Sequence, residues 1–87
     1  MPYIEQKDRP DYEKPIEQLN PEKAGDLNYI LSRICADYIA RKGKNYANLN
    51  EVMGVVACVS HEFYRRVVAP YEDTKIAANG DIKGFEM

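Results

Sequence analysis

The chain has 87 residues, 45% of them apolar and 30% charged, with a net charge of −2 at neutral pH. That balance is too apolar for wholesale disorder, too interrupted for a membrane span, and too acidic for gripping long duplex DNA or RNA, which requires many phosphates to be neutralised at once. One globular domain over 1–87 is expected. A chain of this size buries only about 60% of its unfolded surface, so two Phe and no Trp predict a thin core completed by homo-oligomerisation.

The first twenty residues carry Pro2, Pro10 and Pro15 among mixed charges. Their spacing predicts a Pro-rich arm over 1–20, with a turn near Asp11 and a short helix from Pro15 to Leu19, since proline is acceptable in a first helical turn. Asn20-Pro21 predicts the next helix start, with Asn as cap and Pro at the first helical position. From Ala24 to Lys42, residues Leu27, Ile30, Leu31, Ile34, Cys35, Tyr38 and Ile39 recur every three or four positions, with Asp26, Arg33, Asp37 and Arg41 falling elsewhere. This is the pattern of an amphipathic helix. Arg41 and Lys42 suit its negative end, and Gly43 can take the left-handed conformation that closes it.

After a loop to Ala47, Asn48-Leu49-Asn50-Glu51 has the side chains of a helix cap followed by an acid three residues on. The second long helix is therefore placed at about 49–68, with Leu49, Val52, Val56, Val59 and Phe63 as its main apolar stripe. Its length exceeds that of an ordinary strand despite many β-branched residues. Pro70 is expected to end or kink it. A short helix from Pro70 to Ala78 follows until Asn79-Gly80 stops it, and 81–87 reads as a loose tail. The fold expected is all-α: an antiparallel helical hairpin of two long helices (24–42 and 49–68) flanked by short N- and C-terminal helices.

Chemistry concentrates in the segment from Glu62 to Lys75, where Arg65, Arg66 and Lys75 interleave with Tyr64 and Tyr71. Arginine forks match phosphate oxygens, and tyrosine faces border or stack on a base. These five residues form the candidate binding site for a small phosphate-bearing ligand such as a nucleotide. A second basic cluster, Arg41, Lys42 and Lys44 with Tyr46, is read as helix-end charge compensation. Glu51 and Glu62 lie about 16 Å apart along a helix axis, too far to share one metal ion directly. Glu51 is read as a capping residue, and Glu62 as the partner of Arg66 four residues on.

A Mg²⁺-dependent all-helical nucleotide pyrophosphohydrolase built on Glu51, Glu62 and Asp73 is the alternative reading, although the paired carboxylates such chemistry uses are missing. No cofactor or phosphate-loop string is indicated. His61 is expected at the surface. Cys35 and Cys58, without CxxC spacing or a leading secretory signal, are expected as reduced core residues of an intracellular protein. Gly54 interrupts a strong helix at a cost of about 1 kcal/mol relative to Ala, which predicts close approach of a neighbouring helix or ligand.

Three strings, Gly25-Asp26-Leu27-Asn28-Tyr29, Asn50-Glu51-Val52-Met53-Gly54-Val55 and the run from Glu62 to Asp73, together with Lys75-Ile76 and Asn79-Gly80-Asp81, make the chain similar to a family of small proteins of tailed phages, prophages and bacteria. The resemblance begins at Pro2-Tyr3-Ile4 and spans nearly the whole chain. It implies a small helical protein in the cytoplasm of an infected or lysogenic bacterial host. By analogy with phage sponges for nucleotide immune signals, the expected function is non-enzymatic binding and sequestration. A third reading is a structural or protein-inhibitor module acting through a helical face.

Overall fold

In the computed structural model, which describes residues 3–85, every regular element is helical and no strand occurs among the described residues. A 3₁₀ turn at Gln6–Asp8 precedes α1 (Pro10–Leu19), α2 (Ala24–Lys42), α3 (Tyr46–Phe63), a π turn (Tyr64–Val68) and α4 (Ala69–Asn79). The all-α class is thus as the periodicity predicts. The chain's contacts gather into two compact units, Met1–Met53 and Gly54–Met87, with the division falling inside α3.

Within the first unit, α1 is longer than the proline spacing suggests. Pro10 occupies the first turn, where its missing N–H would have had no partner, and Pro15 lies inside the helix. The interior proline forfeits a single bond, to the carbonyl of Asp11, and α1 absorbs that loss. Ahead of it, the Arg9 guanidinium donates through Nε and Nη2 to the Ile4 carbonyl, both at 3.2 Å. Asn20 does not cap the next helix but closes this one, with φ of +45°. Pro2, the first proline of the expected arm, lies outside the described residues.

The bounds of α2 agree with the apolar repeat. Its start is held by Asp26, whose Oδ2 accepts from the backbone N–H groups of Lys23 at 3.2 Å and Glu22 at 3.3 Å. An acid three residues into a helix satisfies free amides and faces the positive helix end. Gly43 closes α2 at φ +110°, its N–H reaching the Ile39 carbonyl at 2.8 Å. The following helix starts two residues earlier than the expected Asn48 cap. Asn45 is the capping side chain, accepting from the Asn48 N–H at 2.9 Å. Asn48 instead turns back to α2 and donates to the carbonyls of Gly43 at 2.9 Å and Lys42 at 3.2 Å. The pair of asparagines therefore satisfies both helix ends across one short loop. Glu51, expected to cap, accepts from the Tyr38 hydroxyl at 3.2 Å.

In the second unit, α3 gives way to the π turn at Tyr64, so the helix expected to reach residue 68 keeps α register to Phe63 and π register from Tyr64 to Val68. The Ala69 N–H bonds to the Tyr64 carbonyl five residues back. Pro70 neither ends nor breaks the helical backbone: it sits in the first turn of α4, immediately after the widened turn. In α register its absent N–H would have orphaned the Arg66 carbonyl, and the π turn shifts the register just ahead of it. Gly80 stops α4 at φ +88°, with its N–H on the Ile76 carbonyl. The described part of the expected loose tail makes a turn, closed by the Phe85 N–H on the Ile82 carbonyl at 3.0 Å. Residues 86–87 lie outside the described residues.

No described residue is buried. The apolar stripes that define the helices stay open, with Leu31 53% and Val59 59% exposed. Cys58 is exposed and Cys35 half-buried, both as free thiols, so neither is the core residue expected. Among the described residues, nothing lies within 4 Å of a Cβ built on Gly54, so none of them makes the close approach predicted there.

Candidate functional site

The π turn carries three of the five candidate ligand residues, Tyr64, Arg65 and Arg66. Its geometric effect is visible at Tyr64, whose hydroxyl donates to Glu72 Oε1 at 2.9 Å. Eight residues overshoot two ideal α-helical turns by about 0.8 residue, or roughly 80°. The wider turn absorbs that excess and brings Tyr64 and Glu72 onto one face. The hydrogen bond to Glu72 and the proximity of its charge raise the Tyr64 pKa above the ordinary tyrosine value.

Arg65 is tied to Glu62, its Nη2 donating to the carboxylate oxygens at 2.5 and 3.3 Å. Glu62 and Arg65 are thus paired at i,i+3. The Glu62 side chain is 23% exposed and that of Arg65 72% exposed, so the acid is the sheltered member of the pair and the guanidinium the exposed one. On α4, the Lys75 ammonium stands 5.4 Å from the centre of the Tyr71 ring, a cation–π contact that positions the charge without neutralising it. An equivalent contact, Lys42 over Tyr38 at 5.9 Å, lies near the end of α2 in the first unit.

Beside this cluster, α4 and the turn after it form a groove of about 540 Å³. Tyr64 and Phe85 supply rings, Ile76 and Ile82 supply aliphatic surface, and Glu72, Lys75, Asn79 and Asp81 supply polar groups. Two of the five candidate residues, Tyr64 and Lys75, line it, whereas Arg65, Arg66 and Tyr71 do not. Periodicity could not have identified Ile82 and Phe85, since both lie beyond the last helix. Asn79-Gly80 was the only signal, marking where the chain can turn back.

Of the alternative metal set, Glu62 is held by Arg65 and Glu51 accepts from Tyr38. Among the described residues, no group of three His, Cys, Asp or Glu side chains is gathered in a way that could hold a metal ion. His61 is exposed, as predicted. No described helix is long and apolar enough to cross a membrane.

A family model described as a domain of unknown function (DUF6899) matches residues 1–82. No curated protein and no solved structure matches the chain.

Proposed function

We propose, for a chain that belongs to the DUF6899 family, a non-enzymatic protein that assembles with copies of itself through its helical faces and binds a small phosphate-bearing ligand. The observation that carries this reading is the open state of the apolar stripes: Leu27, Leu31 and Ile34 on α2 and Val56, Val59 and Phe63 on α3 are all exposed, and no described residue is buried. Apolar helical stripes left open in this way mark interaction surfaces, and small chains commonly complete their cores by association.

Ligand binding is supported by Arg65, Arg66 and Lys75, carried with Tyr64 and Tyr71 on the π turn and the first turns of α4. π turns recur at functional sites, and Arg forks suit phosphate. The finer reading, a protein of phages or prophages acting in the bacterial cytoplasm and sequestering a nucleotide immune signal, rests on the resemblance of the strings quoted above. Sequestration needs affinity alone, with no transition state to stabilise.

Calorimetric titration of the assembled protein with inorganic phosphate and the four nucleoside 5′-monophosphates tests the ligand. Binding is expected, with Arg66→Ala weakening it roughly ten- to a hundred-fold, the loss of a charge-assisted contact, and Arg66→Lys restoring only part. Absence of binding across the panel, or unchanged affinity in both Arg65→Ala and Arg66→Ala, would overturn the ligand reading. Pyrophosphate release from a nucleoside triphosphate with Mg²⁺, abolished by Glu62→Gln, would favour the hydrolase instead.

A further inference from the structure

The groove beside α4 has a composition that a phosphate site alone does not explain. Among its described residues one cation, Lys75, is outnumbered by the carboxylates of Glu72 and Asp81, so a bare polyanion is a poor match for it. Glu72 Oε1 accepts from the Tyr64 hydroxyl at 2.9 Å, and Asp81 Oδ1 accepts from the Ile82 N–H at 2.7 Å. Each bond uses one lone pair of one oxygen, so both oxygens of each carboxylate keep acceptor capacity. The rings of Tyr64 and Phe85 offer flat apolar faces, with Phe85 69% exposed. A volume of about 540 Å³ lies within the range that holds small organic ligands, and mostly apolar walls with a few polar groups are characteristic of such sites.

The occupant that matches is planar, donates hydrogen bonds from one edge, and carries its negative charge at one end only. We infer that the groove takes the base of a guanine nucleotide, its edge donating to a groove carboxylate, its ring against Phe85 and Tyr64, and its phosphate toward Lys75. Guanine places a ring N–H and an exocyclic amino group side by side, so a carboxylate can accept from both. Adenine and cytosine set an amino donor beside a ring acceptor, and uracil sets its one N–H between carbonyls. In each of those cases a carboxylate meets a lone pair. A site that accepts from two adjacent donors disfavours an analogue that supplies one, because the second acceptor then faces a lone pair. This inference rests on the phosphate-ligand reading above and adds the base.

The test is a titration of the full-length protein with the 5′-monophosphates of guanosine, adenosine, cytidine and uridine. Guanosine monophosphate is expected to bind at least tenfold tighter than the others. Glu72→Gln or Asp81→Asn should remove that preference while leaving binding of the other three unchanged, since an amide supplies one acceptor where the carboxylate supplies two. Glu72→Gln keeps an oxygen for the Tyr64 hydroxyl, so the local fold is retained, and Phe85→Ala should weaken all four ligands. Equal affinity for the four, or preference for another base, overturns the guanine inference and leaves the phosphate reading standing. Retention of the guanine preference in both carboxylate variants overturns it as well. Failure of all four to bind overturns the guanine inference, and failure of inorganic phosphate as well overturns both.

Discussion

Replacing Gly54 by Ala separates what the single chain wants from what its assembly wants. Gly54 lies inside α3, and a Cβ added there meets nothing within 4 Å. Considered alone, the chain should gain about 1 kcal/mol from the substitution, the helix-propensity difference between the two residues. In a domain of this length, that gain corresponds to roughly 4–8 °C in melting temperature. If assembly brings a second helix against Gly54, the added methyl forces an overpacked contact costing about 1–3 kcal/mol. A symmetric pair of copies would incur that cost on both sides of the interface. Helicity of the dilute chain by circular dichroism should therefore rise in Gly54→Ala, while association measured by sedimentation should weaken by tenfold or more. A variant that associates as well as the parent and melts several degrees higher would refute the close approach at Gly54.

The remaining predictions concern the helix ends and the π turn. Asn45→Ala removes the capping acceptor for the Asn48 N–H and should cost about 1 kcal/mol, read as a lower melting temperature. Asn45→Asp should retain the parent value. The Tyr64 pKa is raised in the folded state by its bond to Glu72, so the contribution of that bond is complete below the ordinary tyrosine pKa and is lost as pH climbs past it, when a phenolate would face the carboxylate. Thermal melts should therefore fall more steeply above about pH 10 in the parent than in Tyr64→Phe, and identical slopes would contradict the bond. Pro70→Ala restores a backbone N–H for the Arg66 carbonyl and should let the π turn relax toward α register, separating Tyr64 from Glu72. Spectrophotometric titration would then show the Tyr64 pKa returning toward its ordinary value.

The helices themselves were largely legible from periodicity. The bounds of α2 follow from the run Leu27, Ile30, Leu31, Ile34, Cys35, Tyr38, Ile39 with Gly43 behind it, because spacing and a glycine stop are local signals. Where two local rules competed, the reading failed. Asn48 with Glu51 imitates a capping box, but Asn45 is better placed to cap, and Asn48 then satisfies the open carbonyls of α2. Pro15 reads as the first residue of a short helix, whereas it lies inside α1, which absorbs the single forfeited bond. The π turn was not legible at all, since it reflects a balance between Pro70 and the Tyr64–Glu72 bond across eight residues. The candidate cluster was found by residue type, but the groove beside it depends on Ile82 and Phe85, which no helical repeat marks. The apolar stripes identify the faces that require cover without revealing what covers them.

The central claim is that these faces are completed by further copies of the chain. Sedimentation equilibrium of the purified protein, paired with thermal melts over a hundredfold range of concentration, tests it most directly. The account predicts a mass that is a whole multiple of 10.0 kDa at micromolar concentration and a melting temperature that climbs with concentration, as linkage between folding and association requires. A 10.0 kDa monomer with a cooperative melt at the same temperature throughout the range would contradict it.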